Sequence, residues 1–179
     1  KDPFNNIFQV VEADTWFKLN RRKKTGATYG AVIGVSDIEK SKKVYADILG
    51  YDKLVYDQTK VWDDLSSLPG GQHTIRRVLL RHEHDRKGFF ARLFGPTEIE
   101  LIQVTDRDPV TIYKDRYWGD LGFIHLCYDV TGIDKLKEKC EKLGFPFTVD
   151  SQQETEGNSF DMGEAAGHFS YIEDPDGTL

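Results

Sequence analysis

The sequence predicts an α+β fold of two tandem βαβββ modules that pair around a shared interior, and three observations predict it. A strand pattern, an amphipathic helix and a glycine stop occur in that order twice, at Tyr29–Gly50 and again at Gly119–Gly144. Extended runs separated by turn residues follow each helix. A unit of that size cannot cover both faces of its own sheet, so two units are expected to close on each other. The expected organisation is residues 1–27 as the end of a preceding module plus a linker, 28–105 as the first full module, 106–118 as a linker, and 119–179 as a second module truncated in its last strand.

Each element has a local reason. Asp2-Pro3 and Asn5-Asn6 are turn formers ahead of a short β-rich run, Ile7–Val11. The same Asp-Pro opening recurs at Asp174-Pro175-Asp176-Gly177, as if the chain began near the end of one repeat and stopped inside the last strand of another. Residues 13–27 read as a connector, and its basic run Arg21-Arg22-Lys23-Lys24 as a solvated linker rather than a phosphate site. Tyr29–Val35 is the first strand. Ser36-Asp37-Ile38-Glu39 has the capping-box spacing that satisfies free amides at a helix start. The helix Asp37–Leu49 carries Ile38, Val44, Tyr45, Ile48 and Leu49 as a buried stripe, and Gly50 closes it. Strands are expected at Lys53–Asp57, His73–His84, Phe89–Phe94 and, after the Gly95-Pro96 turn, Glu98–Val104. Residues 58–72 form an insertion with a short helix ended by Pro69-Gly70-Gly71.

In the second half, Phe123, His125, Cys127 and Asp129 alternate with Ile124, Leu126, Tyr128 and Val130, which places His125 on one face of a strand within Gly119–Val130. The helix Gly132–Leu143 buries Ile133, Leu136, Cys140 and Leu143, and Gly144 ends it where a left-handed cap is cheap. Phe145–Val149 and Ala165–Glu173 are further strands, with a polar loop at Ser151–Gly163 between them.

Composition narrows the function classes. A net charge of −6, with 30% of residues charged and both signs interspersed, describes a solvated surface and argues against nucleic acid as the partner. The 2 cysteines, Cys127 and Cys140, make no disulfide scaffold, which fits a reducing, cytoplasmic compartment. No apolar run is long enough to span a membrane. The expected partner is a small-molecule substrate, and a homo-oligomer is compatible with the pattern.

Four segments, GVSDIEKSKKVYADILGYD (34–52), GPTEIELIQ (95–103), HLCYDVTGIDKLKEKCEKLGFPF (125–147) and YIEDPDGTL (171–179), resemble the vicinal oxygen chelate superfamily of glyoxalase I, bleomycin-resistance proteins, methylmalonyl-CoA epimerase and extradiol dioxygenases. The resemblance implies that two βαβββ modules form an incomplete, cup-shaped barrel around a divalent metal held by first and last strands. It places His125 as the first-strand ligand of the second module, and Glu100 as the last-strand ligand of the first. Gly30 occupies the remaining first-strand position and brings no side-chain donor. The second module's own last-strand ligand would fall two positions beyond Leu179. Gln9, the matching residue of the leading fragment, is a weak ligand and reads as structural or substrate-facing.

Imidazole and carboxylate donors suit zinc, iron, manganese or nickel and do not choose among them. Glu100 lies between Ile99 and Leu101, where a carboxylate costs several kcal/mol to bury unless paired or metal-bound. Glu98 reads as the exposed start of its strand. His168 is a candidate substrate contact, whereas His82 and His84 look like an exposed strand end and His73 carries no signal. Trp62, in the insertion, is either a lid over the cup or a surface decoration. The resemblance implies a metal-dependent lyase or isomerase of the glyoxalase or epimerase type. It would act on a small carbonyl compound through an enediolate, with Glu100 moving the proton. The alternatives are an Fe(II) extradiol-type dioxygenase and a metal-free, resistance-type small-molecule binder.

Overall fold

A computed structural model describes residues 1–12, 26, 28–87, 91, 97–111, 114–151 and 168–179. The first strand, β1 (Gly30–Gly34), leads into a short helix, α1 (Ile38–Lys42), which widens into a π-helical turn over Lys43–Ile48. Strands β2 (Lys53–Lys60), β3 (Ile75–Arg81) and β4 (Glu98–Val104) follow, with a 3-10 turn at Asp63–Leu65 between β2 and β3. The second half contributes the helix α2 (Ile133–Leu143) and a two-residue hairpin pairing, β5 (Val149–Asp150) with β6 (Ser170–Tyr171). The main sheet has the order β1-β4-β3-β2, with β1 parallel to β4 and the other pairs antiparallel. The architecture is α+β and the sheet is not closed into a barrel.

The core forms where this sheet meets α1. Ile33 and Val35, Ile38, Val44 and Tyr45 from the helix, and Val78, Leu80, Ile99 and Leu101 from β3 and β4 make one buried cluster. Every residue of the expected helical stripe is buried or partly buried. Leu126, Tyr128, Phe145 and Ile172 pack against the same cluster, so the second half rests on the helix side of the first. The Asp174 turn fixes the contact. Asp174, 5% exposed, accepts from the Tyr45 hydroxyl at 2.9 Å, and Asp176 accepts from the Ser36 amide at 2.7 Å. Burial and the Asp174 carboxylate hold the Tyr45 phenol well above its usual range.

Several expectations change. The N-cap of α1 is Asp37, one residue later than expected: its carboxylate accepts from the Lys40 amide, and the Ser36 amide donates to Asp176 in place of Glu39. Among the described residues the expected strand Gly119–Val130 has no ladder. Its alternation survives in the exposures, but among the described residues only the Leu126 amide bonds a strand-like partner, the Leu179 carbonyl at 2.9 Å. Ile7–Val11 likewise has no ladder among the described residues, and Ile7, Phe8, Val10 and Val11 are exposed. β2 runs three residues past Asp57, because Gln58, Thr59 and Lys60 continue its pairing with β3. Of the strands expected at Phe145–Val149 and Ala165–Glu173, the described residues pair only as β5 and β6. Residues 13–25 with the basic run, Phe89, Phe90 and Phe94, residues 152–163 of the expected polar loop and residues 165–167 of the last expected strand lie outside the described residues. Gly144, at φ +85°, is the left-handed cap of α2.

Candidate functional site

The two faces of the main sheet differ in chemistry. Val78, Leu80, Ile99 and Leu101 face α1, as does Arg76, which pairs with Glu39 of that helix and with Asp57. Strand alternation turns Arg77 and Glu100 to the opposite, open face, where they are diagonal neighbours across the β3–β4 ladder. Both are buried, at 6% and 5% exposure. Arg77 grips the carboxylate with two donors, Nε to Oε1 and Nη2 to Oε2, the latter at 3.0 Å. The Tyr56 hydroxyl donates to Oε1 as well. The remaining guanidinium nitrogen reaches Asp64 Oδ2 at 2.7 Å, and the Trp62 ring covers Arg77 at 4.4 Å. Trp62 is pinned by its own N–H, which donates to the Ile75 carbonyl at 2.8 Å. The insertion is therefore docked on the open face over the Glu100 pair, and does not stand away from the sheet.

This arrangement fixes the charge state of the cluster. Glu100 holds the Arg77 guanidinium protonated, well above even its ordinary range. Burial, and then the Glu100 carboxylate, push the Tyr56 phenol up. The opposite charges cancel inside a fully hydrogen-bonded network.

Gly30 is equally fixed. A Cβ at that position would lie 2.1 Å from the Glu98 carbonyl oxygen, so no side chain fits there while β1 and β4 stay paired. Glu98 itself is held by Arg81 at 2.7 Å.

His125 is exposed, with Leu126 and Tyr128 turned toward the core. Its ring stacks on Trp118 at 5.4 Å and 10°, and the edge of Tyr171 meets both rings, at 5.5 Å from His125 and 5.6 Å from Trp118. Phe169 extends the surface, 6.0 Å from Tyr171. Among the described residues no hydrogen bond or ion pair engages the imidazole. His168 is exposed, as are His84 and Gln9. His82 is half-buried against Tyr51, with ring centroids 4.2 Å apart, and His73 sits 3.0 Å from Asp106.

The fit of a divalent ion follows from these donors. Among the described residues no group of three or more His, Cys, Asp and Glu side chains is placed to hold a metal, so Glu100 and His125 are not joined in such a group. Both Glu100 oxygens already serve Arg77, and Gly30 cannot be replaced by a donor. The described residues do not fit the ion that the resemblance implies.

Arg77, Tyr56, Asp64 and Trp118 escaped the sequence reading. A signal existed for the first: in Ile75-Arg76-Arg77-Val78 two adjacent arginines must point to opposite faces, so one of them had to enter the sheet's open side.

The sequence profile of the glyoxalase/bleomycin resistance protein/dioxygenase superfamily matches residues 31–161. Among solved structures, a glyoxalase family protein from Bacillus cereus aligns with a TM-score of 0.59 and 13% identity, covering 89% of this chain and 94% of that one. The protein SMU.1112c aligns with a TM-score of 0.53 and 18% identity, covering 87% of this chain and 96% of that one. At such identities these likenesses concern the fold alone. No curated protein matches the sequence. The repeated strand–helix–glycine pattern, the open mixed sheet and a profile match over most of the length agree, and the chain belongs to the glyoxalase/bleomycin resistance protein/dioxygenase superfamily.

Proposed function

We propose that this chain binds a small planar organic molecule, and does so without a divalent cation at Glu100. The observation that carries the reading is the Arg77–Glu100 pair: a guanidinium occupies the carboxylate that a metal ion would need. Releasing Glu100 would leave the buried Arg77 with only the half-exposed Asp64 carboxylate as its counter-charge, at a cost of several kcal/mol. Support for a flat ligand comes from the Trp118, His125, Phe169 and Tyr171 surface, in which the Trp118 ring, stacked on His125, is 61% exposed.

Elemental analysis of protein purified without chelator tests the first half, with substoichiometric metal expected. Tryptophan fluorescence tests the second: a benzoate or phenol series is expected to quench saturably, and Trp118→Ala to weaken binding about tenfold or more. Saturable binding that Trp118→Ala leaves unchanged would remove the aromatic surface from the site.

A second reading, a metal-dependent lyase or isomerase of the glyoxalase type or an Fe(II) dioxygenase, is favoured by one feature. The His125 imidazole is exposed and free of hydrogen-bond partners among the described residues. One equivalent of metal that disappears in His125→Ala would install this reading in place of the first. Proton-exchange and oxygen-uptake assays would then separate the two chemistries.

A further inference from the structure

A hollow of about 150 Å³ opens away from the Arg77–Glu100 pair, where the connections of the first half meet the second half. Its apolar wall is Ile48 and Leu49 from the end of the π turn, Val130, and Leu136 of α2. Arg86 and Asp129 line the same space with opposite charges. They are not paired with each other. Arg86 donates to the Thr97 hydroxyl at 3.2 Å, and Asp129 has no ion pair or hydrogen bond among the described residues. The other polar groups facing the hollow are committed elsewhere. Tyr128 packs edge-on against Tyr51, and burial pushes its phenol above the usual range, while His82 stacks on Tyr51.

A hollow of this size accommodates a body of about benzene's bulk. Arg86 and Asp129, two lining residues of opposite charge that do not pair with each other, are matched by a carboxylate and an ammonium on one molecule. We propose that this hollow binds a small zwitterion with an aliphatic body, of the branched-chain α-amino acid class, its carboxylate on Arg86 and its ammonium on Asp129. The site is distinct from the aromatic surface around Trp118 and does not rest on the function proposed above. Because both halves of the chain supply its walls, the ligand joins them.

Isothermal titration of the whole chain with L-leucine, 4-methylpentanoate and 3-methylbutylamine tests the proposal. Leucine is expected to bind saturably, and the two analogues, each lacking one charged group, about tenfold or more weakly. Arg86→Gln is expected to erase the advantage of leucine over the amine, and Asp129→Asn its advantage over the acid. Leu136→Trp fills the space and is expected to abolish binding with an unchanged circular dichroism spectrum. Absence of saturable leucine binding to folded protein overturns the proposal. So do equal affinities for the three compounds, and binding that survives all three substitutions. Leucine binding retained in Trp118→Ala shows that the two sites are separate.

Discussion

Arg77 and Glu100 are nearly inaccessible to solvent, so the energetics of their pair are asymmetric. Removing one partner strands a charge in a dry site, and Arg77→Met is expected to destabilise the protein by about 3–5 kcal/mol. The double variant Arg77→Met, Glu100→Met replaces both charges by apolar groups of similar length and is expected to recover most of that loss. Urea unfolding of the four proteins in the cycle measures it. If the double variant is no more stable than Arg77→Met, the two residues are not each other's main partner. Half of this was legible in the sequence. The position of Glu100 between Ile99 and Leu101 demanded a partner, but nothing local named Arg77, which lies 23 residues earlier in the chain. The pairing follows from the β3–β4 register, which places Leu79 opposite Glu100 and Arg77 beside it.

The two Asp-Pro turns share a wiring diagram. At the first, Asp2 Oδ1 accepts from the amides of Phe4 and Asn6, and the Asp2 amide donates to the Asn6 carbonyl. At the second, Asp174 Oδ1 accepts from the amides of Asp176 and Thr178, and the Asp174 amide donates to the Thr178 carbonyl. The fourth residue of each turn has positive φ, +70° at Asn5 and +88° at Gly177, which asparagine and glycine tolerate. The echo seen in sequence is therefore a true structural repeat at the level of the turn. The consequences differ because only Asp174 is buried and also receives Tyr45. Asp174→Ala is expected to cost about 2–4 kcal/mol, through lost charge-assisted bonds and an unsatisfied tyrosine hydroxyl. Asp2→Ala is expected to cost clearly less. Equal melting points for the two variants would contradict the docking role of the second turn. The strand alternation at Phe123–Val130 was equally visible, yet it forms no ladder with the described residues: a period of two is a property of the segment, whereas a ladder needs a neighbouring backbone.

At the scale of the molecule, one core serves both halves, and His82 lies where they meet, against Tyr51, whose ring in turn touches Tyr128 at 6.3 Å. Burial lowers the His82 pKa below its ordinary 6.5, so the folded protein binds this proton less readily than the unfolded chain. The sign follows directly: the contribution of His82 to stability is complete above about pH 6.5 and is lost as the pH falls from there toward the folded-state value. Melting temperature is expected to fall between about pH 7.5 and pH 5.5, and His82→Gln to flatten that slope. Identical slopes in the two proteins would exclude His82 as the source. By itself the sequence determined the α+β class, the buried stripe of the first helix, the glycine cap at Gly144, the Asp-Pro turns and the likeness to the superfamily. Each of these is written in spacings of a few residues, where backbone conformation and side-chain face are settled locally. Only the tertiary structure decided that Glu100 is neutralised by Arg77, that Gly30 leaves no room for a donor, that the Ser36 amide is taken by Asp176, and that Arg86 and Asp129 share one hollow. Those outcomes depend on which distant groups are brought within hydrogen-bonding reach, and strand register and packing set that distance where sequence spacing does not.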